Sequence, residues 1–156
     1  MSEDSGAAPL PYVLDVSVLA AVARADAGVT RLVMNLDARG QPLVIPVLAM
    51  TGASLDGRSE DGDIALRGLE RLGSVLIAPL RDPEQAARLA AIIARTGLDP
   101  WDAHVAAVAD ASVCPILTLD AAKWRQHSAD LDEPLHIIEI ADPDEPPSDP
   151  GAPGSG

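Results

Sequence analysis

The chain has 156 residues, 47% of them hydrophobic, which is most simply one domain with enough apolar material to bury a core. Eleven basic residues against twenty-four acidic ones leave a net charge of −13, which disfavours non-specific attraction to nucleic acid or to an anionic membrane. A single cysteine, Cys114, excludes an intramolecular disulfide and a multi-cysteine zinc knuckle, and with no Phe, one Tyr and two Trp the core must be aliphatic.

Residues 1 to 10 are acidic and small, with neither the basic nor the apolar region of a signal peptide, and read as a flexible N-terminus. No apolar run is long enough to span a bilayer, so the expectation is a cytoplasmic protein without membrane contact. YVLD forms the first predicted strand and ends on Asp15. Residues 16 to 26 and 28 to 38 read as two helices broken at Gly28. LVI then forms a second strand, residues 47 to 55 a third helix, residues 61 to 72 a fourth, and SVLI a third strand. Pro83 sits where the first residue of a helix belongs, and the run from Glu84 to Arg95 ends at Gly97, a fitting C-cap. In DPWDAHVAAVADAS, Asp99 is a good N-cap, Pro100 fits the first helical position and Asp102 the third. PILTL forms the fourth strand, Asp120 and the short helix AAKW follow, and HIIEI forms the fifth. The segment 141–156 is dominated by Pro, Gly, Ser and acids and reads as disordered. With the tail's four acids set aside, twenty acids and eleven bases remain, so the body at 1–140 is itself acidic.

Short strands alternating with helices imply right-handed crossovers and a mostly parallel sheet covered on both faces, an α/β domain over residues 11–140. In such a sheet the strands' carboxyl ends meet at a crevice, and Asp15 and Asp120 lie at two of those ends. Asp102, in the first turn of the helix before the fourth strand, can point into the same crevice. Three carboxylates brought together repel one another unless cations lie between them, and hard oxygen ligands suit Mg²⁺ or Mn²⁺. The chemistry expected of such a site is metal-assisted phosphodiester hydrolysis, with paired ions roughly 3.5–4 Å apart. Ser17 and Thr118 each stand two residues from an acid and can orient a metal-bound water or a substrate. Lys123 and Arg125, just past Asp120, are the basic residues best placed to touch a phosphate backbone. Each acid also has a purely local role open to it: Asp15 as a strand-end turn residue, Asp102 as a capping-box acid, Asp120 as an N-cap. Trp124 reads as a packing residue and His104 as structural or surface, since two residues along a helix it faces away from Asp102.

The motifs VLDVSVL, DPWDAHVAAVA and ILTLD, in that order, resemble the PIN-domain family, and in particular the VapC-like toxins of bacterial toxin–antitoxin pairs. The resemblance spans about Tyr12 to Ile140. It implies a five-stranded, three-layer α/β/α sandwich and a Mg²⁺- or Mn²⁺-dependent ribonuclease site. Asp15, Asp102 and Asp120 would be its metal ligands, Thr118 would serve beside them in catalysis, and Ser17, Lys123 and Arg125 would contact RNA. It further implies a homodimer and an antitoxin that blocks the site.

The chain departs from that family at its second acid, a Glu in the helix after the second strand, because Gly52 stands there in PVLAMTGASL. A mid-helix glycine costs about 1 kcal/mol relative to alanine, so it is not a neutral filler. Asp56 lies one turn on, about 6 Å away, beyond ready reach of a short side chain. The reading is therefore a PIN-type ribonuclease, with a catalytically weakened or inactive PIN-fold module that works by binding a protein as the alternative. A receiver-like phosphoacceptor domain ranks below both, since Pro79 and Leu80 stand where its acceptor acid should be.

Overall fold

The computed structural model describes residues 9–141; the expectations for residues 1–8 and 142–156 lie outside the described residues. Among the described residues the order is β1 (Tyr12–Leu14), α1 (Val16–Ala23), α2 (Ala27–Ala38), β2 (Leu43–Pro46), α3 (Val47–Asp56), α4 (Glu60–Leu69) and β3 (Val75–Ala78). Then come α5 (Pro83–Thr96), α6 (Pro100–Ser112), β4 (Ile116–Thr118), α7 (Ala121–Ser128) and β5 (Ile137–Glu139). No helix among them is long and apolar enough to cross a membrane.

The strands form one sheet in the order β3-β2-β1-β4-β5, and every pairing is parallel. Parallel neighbours require crossover helices, and these cover both faces, giving a three-layer α/β/α sandwich. Coverage on both faces explains why the central strands are uniformly apolar rather than alternating: Val13, Leu14, Leu43, Ile45 and Ile116 are all fully buried. β1 lies at the centre of the sheet. The chain steps from β1 to β2 on one side and returns to place β4 on the other, so the order reverses between β1 and β4. That switch point is where the carboxyl ends of an open sheet leave a crevice. Leu14 pairs with Leu117 there, bringing the residues that follow each strand side by side.

Helix ends follow local chemistry. α5 starts with Asp82 capping the Gln85 amide and Pro83 in its first turn, and ends at Gly97, whose φ of 73° is left-handed. α6 follows Asp99 and opens on Pro100. The break between the first two helices falls at Arg24–Asp26 and not at Gly28, which lies inside α2. Ala25 takes a left-handed turn with φ of 60°, and Asp26 caps the new helix by accepting the Val29 amide at 3.0 Å. The capping acid outranks the glycine as the start signal because it satisfies an otherwise orphaned amide.

Candidate functional site

Asp15 is the residue directly after β1 and the N-cap of α1, and it is 1% exposed. Its Oδ1 accepts the Ser17 hydroxyl at 2.6 Å and the Val18 amide at 3.1 Å. Its Oδ2 accepts the Thr118 hydroxyl at 2.5 Å and the Trp124 indole Nε1–H at 2.8 Å. A carboxylate offers about four acceptor positions, and the protein fills them with four donors. The two hydroxyls are held in turn, since Ser17 Oγ accepts the Leu119 amide and Thr118 Oγ1 the Asp120 amide. Hydroxyl, amide and indole thus form a closed shell around a buried charge, the condition under which such burial is tolerated.

Asp102 lies in the first turn of α6, nine-tenths buried, and its Oδ2 meets the Lys123 ammonium at 2.6 Å. Burial pushes its carboxyl above the usual range, Lys123 pulls it down, and the charges of Asp15 and Asp99 add to the rise. Its other oxygen, Oδ1, is buried with no donor. Asp120 is exposed and caps α7, its Oδ1 accepting the Lys123 amide at 3.2 Å. The structure therefore brings Asp15, Asp102, Ser17, Thr118 and Lys123 to one end of β1 and β4. Asp120 stands at the rim, and Arg125 is exposed.

Gly52 is buried in α3. A Cβ there would lie 2.6 Å from Trp101 Cγ and 3.0 Å from Trp101 Cβ. The Trp101 side chain fills the space into which a residue at 52 would project, so glycine at 52 and tryptophan at 101 form one packing unit between α3 and α6. His104, on the same helix, is buried and accepts the Leu48 amide through Nδ1 at 3.3 Å. α3 has only Pro46 as its N-cap, without a side-chain hydrogen bond, so His104 supplies the missing acceptor from a neighbouring helix. Desolvation holds its pKa below the usual value of 6.5. That places His104 in a structural role.

A PIN-domain family model matches residues 12–128, three quarters of the chain, and the chain belongs to the PIN-domain family. Among solved structures it is similar to a chain of the crystal structure of VapBC2 from Rickettsia felis bound to a DNA fragment from their promoter. The identity is 13%, 85% of this chain and 100% of that one are covered, and the TM-score is 0.59. That likeness is one of fold. No curated protein matches the chain.

PIN nucleases of the VapC type generally use divalent metal ions. The residues here do not fit such an ion as they stand. Mg²⁺ demands a near-octahedral oxygen shell, yet the lone pairs of Asp15 are already taken by four donors, and one oxygen of Asp102 holds an ammonium. Among the described residues no three of His, Cys, Asp or Glu come together closely enough to hold a metal. A divalent ion at Asp102 would also have to displace the Lys123 ammonium already in contact with that carboxylate or be repelled by it.

The sequence reading missed two roles. Trp124 is fully buried, as a packing residue would be, but its indole N–H is also a ligand of Asp15. Lys123, read as a phosphate contact, pairs with Asp102 of the same domain, a role the sequence reading did not include. The available signal was a cation and an indole adjacent in sequence at the start of α7, three and four residues past an acid at a strand end.

Proposed function

We propose that this chain is a VapC-like PIN-domain protein that has kept the fold but not a working nuclease centre, and that acts by binding a protein partner. The observation carrying this reading is Asp15: a ligand whose two oxygens accept four protein donors has none left for an ion. Trp101 in the space beside Gly52 supports it, because a side chain restored at 52 has nowhere to go. A partner surface has a candidate in a cleft of about 570 Å³ between α1, α2 and α4, lined by Val22, Met34, Ala65, Leu69 and Leu72. The similar Rickettsia felis chain belongs to a VapBC2 assembly, which favours an antitoxin-like chain as the partner; a cytoplasmic setting and a homodimer with a second copy are part of the same proposal.

The second reading is the Mg²⁺- or Mn²⁺-dependent endoribonuclease with Asp15, Asp102 and Asp120 as ligands, Thr118 assisting, and Ser17, Lys123 and Arg125 on the RNA. What favours it is the buried Oδ1 of Asp102, which lacks a donor and is the kind of atom an ion would satisfy. One experiment separates the two: RNA cleavage by the purified chain in Mn²⁺, run beside Asp15→Asn. The first reading expects no cleavage above the variant's background. Robust cleavage abolished by Asp15→Asn establishes the nuclease and ends the first reading.

A further inference from the structure

The first turn of α7 serves all three acids at once. The Lys123 amide bonds Asp120 at 3.2 Å, the Lys123 ammonium bonds Asp102 at 2.6 Å, and the indole of the next residue, Trp124, bonds Asp15 at 2.8 Å. The ammonium also stands 5.4 Å from the Trp124 ring centroid, within range of a cation–π attraction that holds it over the ring. Lys123 is thereby held from two directions, with its side chain only 31% exposed against 7% for Asp102.

From this geometry we infer that Lys123 is the resident cation of the acid centre: a tethered ammonium stands where the fold would otherwise need a divalent ion to neutralise Asp102. The inference rests on the reading that Asp15 is not a free metal ligand. A buried carboxylate on α6 is tolerated only with a counter-charge, and removing one partner of such a pair leaves the other uncompensated. Nζ is the positive group in contact with Asp102, and α7 carries it on the same turn that satisfies the other two acids. A divalent ion and Lys123 are therefore alternatives at Asp102. The domain is complete without metal, its stability indifferent to Mg²⁺ and Mn²⁺, and α7 is fastened to α6 through the pair.

The test is a double-mutant cycle on the full chain, comparing the parent, Lys123→Met, Asp102→Asn and the double variant by urea unfolding in EDTA and in excess Mn²⁺. The paramagnetic resonance signal of aquo Mn²⁺ is followed in parallel as a direct measure of uptake. Expected are a parent whose midpoint is the same in EDTA and Mn²⁺, an undiminished Mn²⁺ signal, and strong non-additivity. The coupling between positions 102 and 123 should be about tenfold or more in the unfolding equilibrium constant. If the parent ignores Mn²⁺ but the two substitutions simply add, Lys123 is not the counter-charge, while the binding-module reading stands. If the parent takes up one Mn²⁺ and gains stability from it, both fail. Should Lys123→Met yield no folded protein, the double variant decides: with the acid at 102 neutralised it should fold again, and a double variant that also fails to fold overturns the inference.

Discussion

Gly52→Ala sets two opposing effects against each other, and the structure decides the sign. Replacing a mid-helix glycine by alanine is worth about 1 kcal/mol of stabilisation from backbone entropy. The new Cβ, however, would sit 2.6, 2.9 and 3.0 Å from Cγ, Cδ1 and Cβ of Trp101. Carbon atoms prefer roughly 3.5–4.0 Å, so the stem of the tryptophan must retreat by about 1 Å. A clash with the stem is not relieved by rotating the ring's far edge, and overpacking of this kind costs about 1–3 kcal/mol. Net destabilisation of about 1 kcal/mol follows, measured as a lowered urea midpoint at unchanged slope. In a Trp101→Ala background the two closest contacts, to Cγ and Cδ1, disappear and only the 3.0 Å contact to Cβ remains, so the same change should be markedly less destabilising there than in the parent. A Gly52→Ala protein more stable than the parent, with the same increment in both backgrounds, would refute the packing unit. The result also bears on function, because Gly52→Glu by itself must displace Trp101 and so cannot simply reinstate the family's second acid.

Trp124→Phe keeps most of the ring but removes the indole N–H from Asp15, and hydrogen bonds to charged groups contribute about 1.5–3 kcal/mol; a loss below about 0.5 kcal/mol in urea unfolding would show that the indole is not a ligand of the acid. His104 is held below its usual pKa of 6.5, so its contribution is fully present above that value and is lost as pH falls through the lower folded value. His104→Asn, which can keep an acceptor for the Leu48 amide, should flatten the acid side of the stability–pH curve, and an unchanged curve would remove His104 from the account. Val113, 62% exposed, closes α6 in a left-handed conformation with φ of 53°, which is strained for a β-branched residue. Val113→Gly should raise stability by up to about 1 kcal/mol, and a lowered thermal midpoint would contradict the strain.

Much of the fold was legible because its signals are local. The strand-forming runs, Pro83 and Gly97 around α5, and Asp99 and Pro100 before α6 all act within a turn of their own position. The first helix break was misplaced because Gly28 looked like the obvious punctuation, whereas Ala25 and Asp26 make the turn and the cap. At the acid centre, motif order put Asp15, Asp102 and Asp120 at the correct edge of the sheet. Their partners were another matter: Trp124 reaches Asp15 across 109 positions, and Thr118 reaches it across 103.

By itself the sequence determined the parallel α/β architecture and the strand ends at which the acids stand, because hydrophobic period and capping chemistry are read over a few residues. Only the tertiary structure decided which groups those acids bond. Whether a carboxylate faces an ion, an indole or an ammonium depends on how α6 and α7 pack against the end of the sheet, and on rotamers set by that packing. The pairing of Gly52 with Trp101 is of the same kind: a missing side chain acquires its meaning from the distant ring that fills its place.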